Sequence, residues 1–250
     1  MSIRTRIRDT LRWALTKDTS FDCIAIGAHP DDVEVGAGGV LIKLHELGYR
    51  TGIIILTRGE MGTGGTPEGR ELEIKAAADI MGASVLATLD LGDTRLVDTP
   101  EHRTQLAQLY RTYRPRMVLA PYWTGGHGKA TSHPDHLAAG ALAMNAVGYA
   151  ALKKLTSDTK PFRVEALHHY FLPVEVPPTY VVDITPQYDR WMDSLKAHAS
   201  QFQNPDKPGN YLWALETRAR HFGSLIGVKY GQGFVTGEPM SIDDPIKLLK

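Results

Sequence analysis

Residues 22–32 read DCIAIGAHPDD: a short apolar run, then a turn carrying a histidine, a proline and two adjacent acids. The run 22–28 is predicted to be a strand, and a helix is predicted near 36–48, with Val40, Leu41, Leu44 and Leu47 on one face and Gly48 as its stop. Residues 51–57 (TGIIILT) are a β-branched run, which marks a buried strand. A Gly-rich loop covers 59–69. It leads into a predicted helix near 70–82 with Leu72, Ala76, Ala77, Ile80 and Met81 inward. A third strand is expected at 84–89, a helix at 101–114 ending before Pro115, and a fourth strand at 116–121. Strands separated by helices of this length predict βαβ units with right-handed crossovers, hence an α/β fold with a mostly parallel sheet flanked by helices.

Beyond residue 121 the pattern continues as a polar loop at 122–135 and a small-residue helix from about 136 to 152. Strands are expected near 164–171 and 179–184. Two amphipathic helices close the chain as a C-terminal α/β extension of the single domain. One carries Tyr188, Trp191, Met192, Leu195, Ala199 and Phe202; the other carries Leu212, Leu215, Ala219, Phe222 and Ile226. The segment 203–210 reads as a loop. Residues 1–20 read as an amphipathic N-terminal extension that packs on the body or a neighbouring subunit, and 21–250 as the domain itself.

The bulk composition narrows the function. The chain has 250 residues, 28 basic and 28 acidic, so no net field recruits nucleic acid or an anionic membrane. No apolar run approaches the roughly 20 residues of a membrane span, and the basic N-terminus lacks a secretory core and cleavage site, so the expected location is cytoplasmic. The lone Cys23 sits in an apolar run and reads as a buried small hydrophobe.

Two short motifs carry the chemistry: His29-Pro30-Asp31-Asp32 after the first strand, and His133-Pro134-Asp135-His136 after the fourth. Open parallel sheets bind ligands beyond the carboxyl ends of their strands, where strand order reverses. Strands one and four flank that point in the usual order, so motifs about a hundred residues apart meet at one crevice. Two histidines and a carboxylate make a catalytic zinc site with a position left for water. Adjacent carboxylates on an extended chain do not both face one metal, so one binds while the other serves as base. The remaining histidine, paired with Asp135 and protonated, stabilises an oxyanion. The first turn has no Gly-x-Gly-x-x-Gly, and Pro67 occupies the third glycine's place in the loop at 59–69, which disfavours a dinucleotide site.

At these residues the sequence resembles the LmbE/PIG-L family of zinc-dependent N-acetylglucosamine deacetylases. The likeness rests on GAHPDDVEVGAGG (27–39), LTRGEMGTGGTPEGR (56–70), APY (120–122) and HPDH (133–136). VVDIT (181–185), SQF (200–202) and FGSLIGVKYGQGF (222–234) look like the branch that deacetylates N-acetylglucosaminyl-malate in bacillithiol synthesis. The resemblance implies a Rossmann-like sheet, Zn2+ (Fe2+ in cells as the alternative), a small amino-sugar substrate and a homo-oligomer, with hexamers frequent among close relatives. It implies His29, Asp32 and His136 as metal ligands and Asp31 as general base. His133 would hold the tetrahedral intermediate, with Asp135 tuning its charge. Arg70, Asp93 and Arg163 would line the substrate pocket. Two other readings share the motifs: a deacylase of another N-acyl substrate, and a non-catalytic sugar-binding relative.

Plainer roles are expected elsewhere. Without the resemblance, Arg70 would pair with Glu71 or Glu73, and Asp93 would hold a turn. Arg58 would pair with Glu60, and Glu34 would be a helix-start carboxylate. His127 reads as a solvated loop residue, and one of His168 and His169 faces the core or an interface. His45, His102, His198 and His221 read as surface or packing residues.

Overall fold

All five residues of the first strand, β1 (Cys23–Gly27), are buried, because both faces of the sheet around it are covered. Cys23 and Ala25 pack into one apolar cluster, Ile24 and Ile26 into the other. β2 (Thr51–Ile55) divides the same way, with Ile53 and Ile55 opposite Ile54. A strand buried on both faces reads as a continuous apolar run, as these do. Each fully buried isoleucine contributes about 1.5–3 kcal/mol.

The computed structural model describes residues 19–125, 133–155, 159–203, 211–242, 244 and 246. The expected N-terminal helix up to residue 18, His127 with the rest of 126–132, and the loop residues 204–210 lie outside the described residues. The order continues with α1 (Asp32–Glu46), α2 (Pro67–Met81), β3 (Ser84–Thr88), α3 (Pro100–Tyr113), β4 (Met117–Pro121) and α4 (Pro134–Ala150). It closes with β5 (Ala166–Tyr170), β6 (Tyr180–Asp183), α5 (Tyr188–Ala197), the single turn α6 (Ala199–Phe202), α7 (Tyr211–Leu225) and β7 (Gly231–Thr236). The seven strands lie in the order β3-β2-β1-β4-β5-β7-β6. The first five are parallel, and β7 runs antiparallel to both β5 and β6. β1 therefore has β2 on one side and β4 on the other, which puts the reversal of strand order at the ends of Gly27 and Pro121. Among the described residues no helix is long and apolar enough to cross a membrane.

Several expectations need correction. α1 begins at Asp32, inside the first motif, and Leu47 beyond its end is 65% exposed. α2 begins at Pro67, with the Thr66 hydroxyl accepting from the amide of Gly69 at 3.1 Å. Its inward face is Arg70, Ile74, Ala77, Ala78 and Met81, while Leu72 is 68% exposed. The apolar stripe is thus continued toward the helix start by a buried arginine, which hydropathy alone does not register. The helix expected to span Tyr188 to Phe202 breaks at His198. β7 was not expected, because Gly231 and Gly233 dilute its pattern; a Cβ at Gly233 would lie 2.7 Å from the Phe222 ring of α7.

α4 reaches the sheet through Gly140, where a Cβ would stand 2.4 Å from the carbonyl oxygen of Pro121 and 3.0 Å from the Trp123 backbone. Those neighbours are main chain at the end of β4 and cannot swing aside. Gly140→Ala should therefore destabilise the fold by roughly 1–3 kcal/mol, read as a lowered urea midpoint; an unchanged midpoint would show that α4 does not need this contact.

Candidate metal centre

The chain leaves β1 at Gly27 and folds back on itself within four residues. The Asp32 carboxylate accepts from the backbone amide of His29 at 2.8 Å, and the amide of Asp32 donates to the His29 carbonyl at 3.3 Å. This closure holds Asp31 at φ 118°, a conformation that a residue with a Cβ adopts only under strain. At the end of β4 the second motif opens α4. His133 is its N-cap and Pro134 its first residue, and the amide of Asp135 donates to His133 Nδ1 at 3.2 Å.

The two turns face each other. His136 Nε2 lies 3.0 Å from Asp32 Oδ1, and His29 Nδ1 lies 3.5 Å from Asp32 Oδ2. The rings of residues 29 and 136 are 5.4 Å apart. Ligand nitrogens of His29, His133 and His136 all fall within 4.8 Å of one another. The far side of His29 is also occupied: its Nε2 is 3.1 Å from Asp93 Oδ1 and 3.1 Å from Asp135 Oδ2. Those two acids, 4% and 1% exposed, are anchored in turn. Asp93 accepts from the amide of Met61 at 2.9 Å, and Asp135 accepts from that of Thr94 at 2.7 Å.

Three carboxylates thus converge on the largely buried imidazoles of His29 and His136, and the charge balance shows in the acidities. Burial lowers the His29 pKa, but Asp32, Asp135 and Asp93 outweigh it and push it up to about 9. Burial opposes ionisation of Asp32 as well, yet His136 and His29 hold it well below the usual carboxylate range. Burial and the neighbouring Asp32 raise Asp31 to about 6, with Arg70 and His198 pulling the other way. His133 is lowered by burial and by the adjacent His29 and His136. A largely buried cluster with surplus negative charge, whose imidazoles can release a proton to a metal, is a donor set suited to a divalent cation.

Not every expected residue plays the expected part. The Asp135 carboxylate reaches His29 and Thr94 rather than His133, which among the described residues accepts from the Asp135 backbone amide. Asp93 lines the cavity, yet its Oδ1 is spent on His29. Arg70 is buried, donating to the carbonyls of Gly59 at 3.2 Å and Pro30 at 2.5 Å and standing 3.6 Å from Asp31. It lines the same cavity, as expected, while also bracing the two loops and the strained acid; Glu71 pairs with Lys75 and Glu73 accepts from Ser200. Arg163 is exposed, precedes the N-terminal end of β5 and lines neither of the two cavities at the site. Arg58 pairs with Glu68 rather than Glu60, whose carboxylate accepts from the Asp93 amide. Glu34 stands in the first turn of α1 as expected, but it is fully buried 3.3 Å from the equally buried His198. His168 and His169 are both buried, bonded to the Tyr180 hydroxyl and the Pro121 carbonyl.

The candidate metal-ligating groups line a cavity of about 430 Å³. A second cavity of about 330 Å³ adjoins it, sharing Val35, His133, His136, Phe171 and Tyr211. Phe171 and Tyr211 carry no motif, and only the start of α7 and the end of β5 hint at them. Strain marks the place better: of the four non-glycine residues with positive φ among those described, Asp31, Thr94 and Phe171 line the first cavity.

Comparison with known proteins agrees with this geometry. The model of the GlcNAc-PI de-N-acetylase (PIG-L) family matches residues 24–147, which contain both motifs. Diacetylchitobiose deacetylase of Thermococcus kodakarensis is 35% identical over 231 residues, 86% of this chain and 83% of that protein. The crystal structure of the conserved protein TT1542 from Thermus thermophilus is 39% identical, with a TM-score of 0.80, covering 89% of this chain and 97% of that one. N,N'-diacetylchitobiose deacetylase from Pyrococcus horikoshii is 28% identical, with a TM-score of 0.78, covering 94% and 93%. The fold and site are those of a metal-dependent amide hydrolase. The chain belongs to the PIG-L (LmbE-like) deacetylase family.

Thr94 offers a test of the strain. It is exposed, β-branched and held at φ 65°, a conformation that asparagine tolerates far better. Thr94→Asn should raise stability by about 0.5–1 kcal/mol, seen as a higher melting temperature; a lower one would mean the position carries no strain.

Proposed function

We propose that the chain hydrolyses the acetamido group of an N-acetylglucosamine conjugate, with His29, Asp32 and His136 holding zinc and Asp31 acting as general base. The observation that carries this reading is the placement of Asp32 between the imidazoles of His29 and His136, with Asp31 beside it and not committed to capping the helix. Iron(II) is the alternative occupant, because affinity order alone does not fix which metal a site holds in cells. A divalent ion so held supplies Lewis-acid polarisation of the amide carbonyl and makes water acidic near neutral pH.

The chain's own groups do the rest. Asp93 and Asp135 keep the proton on His29 Nε2, which leaves the Nδ1 lone pair facing Asp32 and the metal position. Asp31, poised near pH 6, takes the proton of the attacking water and returns it to the departing nitrogen. His133 serves the oxyanion in its neutral form. The Asp135 amide occupies its Nδ1, so its proton sits on Nε2 as a donor. This replaces the protonated histidine expected from sequence. Products are acetate and a free amino sugar.

The paired cavities support a conjugate rather than a free sugar, and two aglycones lead. A second sugar is suggested by the relatives that act on diacetylchitobiose, and malate by the closing sequence segments. Assembly as a homo-oligomer belongs to the same proposal, supported by exposed side chains such as Leu47, Trp213 and Leu225 and checked by sedimentation.

Acetate release from a panel of N-acetylglucosaminides tests the activity; no release from any metal-loaded sample would overturn it. Asp31→Ala should keep its metal and lose about 10²-fold or more in rate, whereas Asp32→Ala should lose the metal on dialysis. Full activity in the first or normal zinc in the second would reverse those assignments. Asp135→Asn should weaken metal retention by about 10- to 100-fold, measured by competition with a chelator. If it changed only the rate, Asp135 would be acting on His133 after all.

A further inference from the structure

The two cavities differ in charge. Asp31, Asp32 and Asp93 line the first, with Arg70 also on its wall. No acid among the described residues lines the second, where the polar side chains are His133, His136, Tyr211, Arg218 and Gln232. Its walls are otherwise apolar, including Leu172, Leu215 and Phe222.

Arg218 and Gln232 both have donor capacity left over. The Arg218 guanidinium lies over the Phe222 ring at 5.5 Å and donates to the Leu172 carbonyl. Among the described residues no carboxylate pairs with it within salt-bridge distance. A guanidinium has five N–H donors, so one backbone carbonyl leaves most of them free. Gln232 is 5% exposed; its Oε1 accepts from the Val40 amide at 3.0 Å, and its Nε2 has no acceptor among the described residues. A buried donor without a partner is costly unless a ligand supplies the acceptor.

We propose that this second cavity recognises a carboxylate on the aglycone, with Arg218 as the specificity-determining residue and Gln232 as a second donor. The inference rests on the deacetylase reading, since it places the sugar's acetamido group at the metal centre and the rest of the conjugate across Phe171 and Tyr211. It moves carboxylate recognition away from Arg70, whose two terminal nitrogens are taken by Gly59, Pro30 and Asp31, and from Arg163, which lies outside both cavities. A planar fork suits a carboxylate better than a sugar hydroxyl, so an acidic aglycone is favoured over a neutral second sugar.

The test compares kcat/KM on N-acetylglucosaminyl-malate with that on its dimethyl ester, which differs in charge at the same bonds. The protein should prefer the acid by about tenfold or more. Arg218→Gln should abolish that preference, and Arg218→Lys should keep part of it. A wild-type protein indifferent to the charge would overturn the proposal. So would an Arg218→Gln variant that slows both substrates equally, because that is what loss of the brace on Leu172 alone would do. If no N-acetyl substrate is turned over, the deacetylase reading fails by itself. Calorimetric binding of glucosaminyl-malate and its dimethyl ester to the wild type and Arg218→Gln then answers the same question without turnover.

Discussion

A single buried imidazole organises this molecule. His29 stands between Asp32 on one side and Asp93 and Asp135 on the other, and each acid is tied to a different stretch of chain. Asp32 closes the turn after β1, Asp93 is bonded to the loop before α2, and Asp135 opens α4. Charges this deep are tolerated only when paired. The pairing draws together segments that the sheet alone would bring near one another but not lock. Two helix N-termini help, because their unsatisfied amides and positive ends favour the carboxylates of Asp32 and Asp135. The residual negative charge is the part the protein leaves for a cation.

A second buried layer lies behind the first. Glu34, one turn into α1, faces His198 at the break between α5 and α6. Just beyond, Ser200 holds Glu73 and Gln201 donates to the carbonyl of Gly64 in the Gly-rich loop. Trp191 donates from its indole to the Glu34 carbonyl at 2.7 Å. The C-terminal helices are therefore not an appendage. They clamp the start of α1 and the loop that leads into Arg70 on α2, and so fix the backbone on which Asp31 is strained. Preorganisation of this kind lets a carboxylate keep an unfavourable conformation next to its partner groups.

Much of this was legible in the sequence for a plain reason. The strands β1, β2 and β4 are apolar runs of strand length, and the helices between them carry a 3.6-residue period, so the parallel sheet and its reversal point follow from periodicity. The two motifs then fall at strand ends by arithmetic. What escaped was whatever depends on direction rather than spacing. Asp135 is two residues from His133, and proximity in sequence suggested a pair; the helix turn instead aims its carboxylate at a histidine 106 residues away. Arg70 looked like a surface ion-pair residue or a substrate ligand because it is charged, and it is buried because two loop carbonyls and Asp31 surround it. β7 escaped because close packing on α7 requires glycine where a strand signal would need a β-branched residue.

The division of labour between the two cavities follows from the same electrostatics. A site that concentrates acids around a cation repels any further anion near the metal, so an acidic group on the substrate must be received elsewhere. The charges are separated along one cleft: acids beyond the ends of β1 and β3 line the first cavity, and donors with capacity left over among the described residues sit on α7 and β7. Phe171, held at φ 60° with its ring 4.9 Å from that of His136, is the apolar partition between them. The antiparallel β7, the part least evident from periodicity, and the helix before it carry the donor side of that boundary. Variation in substrate is therefore expected to map onto α7 and β7, while the turns after β1 and β4 hold the chemistry constant.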